Sequence, residues 1–314
     1  MKLDYRVTRL ITAKTSEIAT YSAMQLKEAI LKSEGRVCMG QTYLDSPILL
    51  NGATSTELMF AFGADMVMLN GFHFNCPEEA NGMQGHTFEE LKALVGGRPV
   101  GIYMSCQKFD EDSDKDPTKL QARQMAYSKE NLLKAHAMGA SFVVLGGNPG
   151  SGTSIWDVVK ATKEVKELLG DEMLVFAGKW EDGIIEKVLG DPLADYDHKE
   201  VIKALIDAGA DIIDFPAPGS RHGITVEMIR ELVEFAHRYK PGTLAMCFLN
   251  SNVEAADIDT IRTITLWMKQ TGADVHAIGD GGFGGGTWPE NIYQMAITLK
   301  GKAYTWLRMS TPRR

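Results

Sequence analysis

Short apolar runs recur along this chain at the roughly 30–40-residue spacing of βα units. The eight runs occupy residues 36–41, 65–70, 99–105, 141–147, 173–178, 211–215, 244–249 and 274–279. Each has the length of a buried parallel strand and little polar–apolar alternation, and helical patterns separate them. Eight consecutive units predict a closed (β/α)8 TIM barrel, with an open doubly wound sheet as the alternative. The run at 303–309 is an alternative closing strand.

Local signals mark where the helices begin and end. Candidate capping boxes are Thr54 with Glu57, Thr87 with Glu90 and, more weakly, Ser154 with Asp157. Pro289 suits the first turn of the last long helix. Four helices are expected to end at a glycine, in the segments 61–65, 137–141, 207–211 and 270–274.

Composition limits the class of protein. The chain has 314 residues, of which 44% are hydrophobic and 24% charged, as is typical of a globular protein with one large core. No linker divides it, so residues 1–314 are expected to form a single TIM-barrel domain. Residues from about 1 to 34 are predicted to be an N-terminal helical extension that closes the barrel bottom.

Net charge and cysteine usage indicate the classes of partner and the cellular compartment to expect. A net charge of −8 argues against a nucleic-acid partner. No apolar run reaches the roughly 18–20 residues that span a bilayer, and the N-terminus lacks an apolar signal core. Four cysteines lie far apart, at Cys38, Cys76, Cys106 and Cys247. Such spacing is typical of reduced thiols, so we expect a cytoplasmic protein without a membrane partner, and a homo-oligomer is left open.

A glycine-rich stretch, GDGGFGGGTWPENI, follows the last apolar run at residues 279–292. Gly279, Gly281 and Gly284 match the dinucleotide fingerprint G-x-G-x-x-G. No second strand ending in an acidic residue follows, so we expect no nicotinamide or nucleotide cofactor. As a late barrel loop, the stretch is predicted to bind phosphate through backbone N–H groups and the next helix N-terminus, with a ligand-free hinge as the alternative. The predicted phosphate-binding residues are Gly281, Gly282, Gly284, Gly285, Gly286 and Thr287.

Two other stretches imitate known motifs. Residues 146–154 resemble a P-loop, but Thr153 stands where a nucleotide site needs lysine. Residues 110–121 resemble a calcium loop, but Lys115 replaces the invariant glycine and Gln121 the bidentate glutamate. The sequence also has no clustered His/Cys ligand set. A divalent metal is therefore left open, but no spacing indicates one.

Reacting groups in such barrels stand at the carboxyl ends of the strands. We predict Lys179, Asp214 and His222 as catalytic residues. Lys179 directly follows a strand and is expected to point into the barrel mouth, where it could form a Schiff base, act as a base or bind an anion. A salt bridge with Asp214 or Glu181 is the alternative. The predicted substrate-binding residues are Gln41, Asn70, Asn148, Glu181, Arg221, Asn250 and Asp280.

The chemistry of three of these side chains indicates the role that each could have. Asp214 interrupts an apolar run, and a buried carboxylate is costly unless it is paired or metal-bound, so it is a candidate general base or a partner of Lys179. Arg221 suits a bidentate contact with carboxylate or phosphate. His222 could move protons near neutral pH.

Three stretches carry a resemblance to a known family. GQTYLDSPILLNGATSTELMFAFGADMVMLN, GDGGFGGGTWPENI and AYTWLRMS resemble an uncharacterised bacterial (β/α)8-barrel family found near sugar phosphotransferase genes and labelled phosphonomutase-like or dehalogenase-like. NPGSGTS with VKATKEVKELLGDEMLVFAG is similar, more weakly, to the photosystem-I biogenesis barrel family. The resemblance implies a barrel fold and a phosphorylated-carbohydrate context, and it implies no catalytic roles. The acidic motifs that the dehalogenase and phosphonomutase labels require are not found.

The sequence therefore predicts an enzyme that acts on a phosphorylated small molecule, such as a sugar phosphate. Lyase/aldolase and isomerase/epimerase chemistry both need proton transfer next to a carbonyl, which Lys179 and Asp214 could provide. The alternative is a non-catalytic, metabolite-binding regulatory barrel linked to sugar uptake. The direction of the Lys179 side chain distinguishes the two.

Overall fold

Eight parallel strands close into a barrel in which each strand pairs with its neighbours in sequence, and β8 pairs with β1. The computed structural model describes residues 4–109, 122–148, 151–181, 185–279 and 287–310. The strands are β1 (Val37–Tyr43), β2 (Met66–Asn70), β3 (Val100–Ser105), β4 (Phe142–Gly146), β5 (Leu174–Gly178), β6 (Ile212–Pro216), β7 (Leu244–Leu249) and β8 (Val275–Gly279). Each predicted run overlaps one of them, so the TIM-barrel prediction is confirmed.

Helices connect the strands and surround the barrel. They are α1 (Thr15–Ile18), α2 (Ala23–Leu31), α3 (Ser55–Ala61), α4 (Phe88–Leu94), α5 (Lys129–Ala137), α6 (Ile155–Leu169), α7 (His198–Ala208), α8 (Val226–Tyr239), α9 (Ile258–Gln270) and α10 (Pro289–Met309). Short 3-10 turns occur at Pro77–Glu79, Asn81–Met83, Gly170–Glu172 and Val253–Ala255. Within the described residues, no helix combines the length and apolar character needed to cross a membrane.

The capping predictions are confirmed. Reciprocal capping boxes are present at Thr54 with Glu57, Thr87 with Glu90 and Ser154 with Asp157. Pro289 occupies the first turn of α10. The alternative closing strand at 303–309 is wrong, because this stretch is the end of α10. Thr305 and Arg308 are buried there while Trp306 is exposed, which is a helical period and not strand alternation.

The amino end of the barrel is closed by the N-terminal segment, as predicted. Leu10, Ile11 and Ile30 are completely buried and belong to the same apolar cluster as the inward-facing side chains of the strands. Burial of these side chains on the barrel floor leaves the carboxyl ends of the strands as the open face. In barrels of this class the active site usually lies at the carboxyl ends of the strands.

Strand register fixes which side chains share a level inside the barrel. Inward-facing residues of odd and even strands alternate in layers. One layer consists of Met68, Val144, Asp214 and Ala277, and the next towards the carboxyl end consists of Gln41, Tyr103, Gly178 and Phe248. Layers nearer the amino end are apolar, with side chains such as Met66, Phe142 and Leu174. Polarity therefore rises inside the barrel towards the carboxyl end.

Candidate functional site

Asp214 carries the carboxyl group of these two layers. It stands opposite Gly178 on β5 and Met246 on β7. The side chain is completely buried, and neither carboxylate oxygen has a hydrogen-bond partner among the described residues. Burial raises the pKa of this carboxyl group well above its usual range. A buried carboxyl group without partners destabilises a fold, which makes it a candidate for function.

Close approach of two strands fixes the position of Asp214. A Cβ atom at Gly178 would lie 2.2 Å from the carbonyl oxygen of Asp214, so a larger residue at 178 would push β5 and β6 apart. Glycine at the end of β5 thus allows tight pairing beside the carboxyl group. It also adds no side chain to the layer above Asp214.

Three more buried polar atoms near the carboxyl end have no hydrogen-bond partner in the described part of the chain. They are Gln41 Oε1, Ser105 Oγ and Trp180 Nε1. Buried polar groups in folded proteins are normally satisfied, so each of these unpaired groups needs an explanation. Together with Asp214 they offer a ligand both hydrogen-bond acceptors and hydrogen-bond donors. These atoms lie at the barrel end where function is expected.

Aromatic side chains form a partition above Asp214. The rings of Tyr103 and Trp180 meet edge to face with centroids 5.9 Å apart, and Trp180 lies 5.4 Å from Phe248. A Cβ atom at Gly146 would lie 2.7 Å from the Trp180 ring, so glycine makes room for the indole. These contacts hold Trp180 across the barrel mouth.

A cavity of about 150 Å³ lies at the carboxyl ends of the first four strands. A cavity of this size can hold one six-membered ring. Its described lining residues are Tyr43, Asn70, Gly71, Tyr103, Ser105, Ala122, Met125 and Asn148. The polar side chains in this set are hydroxyls and amides without formal charge, which suits the hydroxyl and carbonyl groups of a neutral ligand portion. The structure thus brings Asn70 and Asn148 together, on the opposite side of the barrel from β5 and β6.

Lys179 lies apart from Asp214. Alternation along β5 turns Phe176, Gly178 and Trp180 inwards, so Lys179 faces the helix layer. Its ammonium group is almost fully buried and donates to Glu186 Oε2 and to the Thr153 carbonyl, both at 2.8 Å. The expected direction into the mouth is not what the structure shows, and the salt-bridge partner is Glu186 and not Asp214 or Glu181.

A second polar group forms at the ends of β5 and β7. Asn250 donates through Nδ2 to Glu181 Oε2 at 3.0 Å, and both side chains are buried. Arg221, half-buried on the loop after β6, donates through Nε to the Trp180 carbonyl at 2.7 Å. The adjacent His222 is exposed to solvent. Three of the predicted substrate-binding residues are thereby brought to the carboxyl face beside Trp180.

The predicted phosphate loop is described only at its ends. Asp280, Gly281, Gly282, Gly284, Gly285 and Gly286 lie outside the described residues. Thr287 is buried, and its hydroxyl donates to the Gln41 carbonyl at 2.8 Å. This bond ties the chain after the loop to β1. The described part of the chain contains no group of His, Cys, Asp and Glu side chains that could hold a metal ion.

Sequence reasoning missed the aromatic members of the site. These are Tyr103, Trp180 and Phe248, which lie on the strands or at their ends. In the sequence they cannot be told apart from ordinary aromatic core residues. Period-two alternation was the available signal. Residues two apart on a strand point to the same face, so an inward-facing Phe176 predicts that Trp180 also faces inwards.

Comparisons with known proteins add a family. The chain is similar to a crystal structure of 2,3-dimethylmalate lyase, a PEP mutase/isocitrate lyase superfamily member, with 14% identity, a TM-score of 0.48, and coverage of 82% of this chain and 80% of the other. It is also similar to a candidate fructose-1,6-biphosphate aldolase from Coccidioides immitis, with 12% identity, a TM-score of 0.48, and coverage of 82% and 81%. At this level the likeness says nothing about activity or substrate. Comparison with curated proteins gave no match. A family model matches residues 11–314, and the chain therefore belongs to the family described as domain of unknown function DUF7916.

Proposed function

We propose that this barrel is an enzyme that moves a proton at a carbon next to a carbonyl group of a small, hydroxyl-rich, phosphorylated substrate. Lyase/aldolase and isomerase/epimerase reactions both need this step. The observation that carries the proposal is the buried, unpartnered carboxyl group of Asp214 inside the carboxyl half of the barrel.

The environment of Asp214 suits proton transfer. A general acid or base works best when its pKa lies near the working pH, and burial raises the pKa of Asp214 towards that range. In its neutral form the group donates a proton, and in its ionised form it accepts one. The surrounding side chains, such as Met68 and Phe248, exclude water from the reacting atoms.

The polar cavity supports the choice of substrate. Amides and hydroxyls of Asn70, Ser105 and Asn148 can hydrogen-bond sugar hydroxyls, and the described lining carries no charge that would repel or trap them. For the substrate to reach Asp214, the Trp180 side chain must move, since it stands across the mouth against Tyr103 and Phe248.

Substrate phosphate remains part of the proposal through the glycine-rich loop. A loop that follows the last strand and precedes the α10 N-terminus is a common phosphate site in these barrels. Pro289 in the first turn of α10 is the described feature that supports it.

Proton exchange tests the proposal whichever product the reaction forms. The protein is incubated in D₂O with a panel of aldose and ketose phosphates, and deuterium uptake next to the carbonyl is followed by NMR. Asp214→Asn, which keeps the shape but cannot titrate, should slow uptake by roughly 100-fold or more. Asp274→Asn, which alters a buried carboxylate at the opposite end of the barrel, is the matched control and should leave uptake unchanged. An Asp214→Asn protein with full exchange activity overturns the assignment.

A non-catalytic metabolite-binding barrel is the second candidate. The ion pair of Lys179 with Glu186 favours it, because this lysine is held away from the barrel interior. A sugar phosphate at 100 times its dissociation constant should stabilise the protein by roughly 2.7 kcal/mol in a thermal-shift screen. Such a shift without any deuterium uptake would select this candidate.

A further inference from the structure

A second cavity lies at the opposite end of the barrel. It measures about 280 Å³ and is bounded by the N-terminal segment on one side and by α4 and the approach to β4 on the other. Its polar side chains are those of Tyr21, Ser22, Lys92, Ser141 and Glu172. It shares no described lining residue with the cavity at the carboxyl end.

Lys92 supplies the amine of this cavity. Its Nζ donates to Ser141 Oγ at 2.9 Å and to the Arg98 carbonyl at 3.2 Å, both neutral acceptors. Within the described ranges, no carboxylate lies within ion-pair distance of it. Burial lowers the pKa of this amine to about 8, because the charged form is desolvated without a counter-ion.

The other titratable groups facing the cavity are already engaged. Glu172 Oε2 lies 3.1 Å from His136 Nε2. The Tyr21 hydroxyl donates to Glu17 Oε1 at 2.8 Å, and burial together with Glu17 raises the pKa of this phenol to about 12. Tyr21 therefore stays protonated and does not compete with Lys92 as a nucleophile.

We propose that Lys92 is a site of selective acylation by small acyl donors of the acyl phosphate class, which enter through this cavity. The lone pair of the neutral amine attacks the carbonyl carbon of the donor. The bond from that carbon to the phosphate oxygen breaks, and phosphate leaves with the electron pair. Nitrogen then releases one proton to water and becomes an amide.

The product fits the cavity better than the reactant. Acylation replaces a buried cation that has no counter-ion by a neutral amide, which removes the desolvation penalty. The amide N–H can still donate to Ser141 Oγ or to the Arg98 carbonyl. The cavity has room for an acetyl group beside the lysine.

Site-resolved mass spectrometry after brief exposure of the intact protein to acetyl phosphate tests the proposal. At about pH 8, Lys92 should be labelled at least roughly tenfold faster than Lys166, a lysine of comparable burial that is ion-paired with Asp211. The Lys92 rate should stop rising above about pH 8, whereas exposed lysines should gain reactivity up to about pH 10.4. Lys92→Arg should remove this fast site and leave the other rates unchanged.

Lys300 controls for unfolding. It is completely buried and ion-paired with Asp65, so it should remain unlabelled in the folded protein. Labelling of Lys92 no faster than Lys166, or a rate that keeps rising beyond about pH 9, would overturn the proposal.

Discussion

At the scale of single residues, two ionisable side chains have opposite environments, one on β6 and the other directly after the neighbouring strand β5. Asp214 faces the barrel interior without partners among the described residues, whereas Lys179 faces the helices and is paired with Glu186. Unpaired burial is unfavourable, while a paired and hydrogen-bonded charge is tolerated. The first pattern is typical of a functional group and the second of a structural one.

Asp214→Asn should change how stability depends on pH. Because burial raises the pKa of Asp214, the folded protein holds this proton more tightly than the unfolded chain does. That contribution is fully present below the unfolded pKa of about 3.9 and is lost as pH rises through the folded pKa. The free energy of unfolding of the native protein should therefore fall relative to Asp214→Asn as the pH rises above about 4, as measured by urea unfolding. A difference that does not vary with pH would contradict this.

Lys179→Ala should act on stability. The substitution removes the cationic partner of Glu186 and the donor to the Thr153 carbonyl. It should lower the free energy of unfolding by about 3 kcal/mol, near the lower end for buried pairs because Glu186 is partly exposed and keeps its bonds from Ser154 and Ile155. A double-mutant cycle with Glu186→Gln measures the coupling. Normal stability with lost turnover would instead return Lys179 to the catalytic site.

At the scale of elements, a repeated pattern of polar contacts joins the amino ends of the even-numbered strands to their neighbours. The residues before β2, β6 and β8 are Asp65, Asp211 and Asp274, and each accepts a backbone N–H from the preceding strand. Each also has a cationic or histidine partner. Ser141 before β4 accepts from Lys92 in a similar way. These polar links hold the strand starts in register at the barrel floor.

Among substitutions in these polar contacts, Asp65→Asn should lower the free energy of unfolding most. The Asp65–Lys300 pair is fully buried, so the substitution leaves a buried ammonium without its counter-ion and should lower the free energy of unfolding by about 3–5 kcal/mol. Asp274→Asn is the control, and its loss should be smaller because His237 is partly exposed and can become neutral. Urea unfolding compares the two, and equal losses would mean that burial of the pair is not the deciding factor.

At the scale of the whole molecule, the barrel has an apolar, plugged amino end and a polar, ligand-sized carboxyl end. The N-terminal segment and the inward side chains form one apolar cluster, while Gln41, Ser105, Trp180 and Asp214 carry unpartnered polar atoms near the other end. The apolar amino end is therefore where we expect substitutions to lower stability, and the proposed catalytic site lies at the carboxyl end, as is usual in barrels of this class.

Leu10→Ala should weaken the molecule as a whole. Leu10 lies in the N-terminal segment that closes the barrel and is completely buried. Its truncation should therefore lower the free energy of unfolding by about 2–5 kcal/mol through lost burial and a residual cavity. Tyr5→Ala, at a residue that is 93% exposed in the same segment, should change it by less than about 0.5 kcal/mol. Chemical denaturation measures both. An unchanged free energy of unfolding in Leu10→Ala would show that the N-terminal segment is not part of the core.

Features of the fold that depend on neighbouring residues could be predicted from the sequence. The eight strands follow from short apolar runs, and the helix starts at Thr54, Thr87 and Ser154 follow from side chains three residues apart. Closure into a barrel follows from the number of units, because eight βα repeats in order leave no unpaired edge. These signals lie within a few residues of the structure that they specify, so tertiary context did not override them.

The partner of each site residue, and which face of each strand points into the barrel, were decided only by the tertiary structure. Lys179 and Trp180 are adjacent in sequence, yet strand alternation and barrel closure turn one to the helices and the other to the interior. The pairing of Lys179 with Glu186 depends on how the chain beyond β5 folds back, and the isolation of Asp214 depends on residues from several other strands. A list of polar strand ends contains neither fact, because burial and pairing are properties of the space between elements.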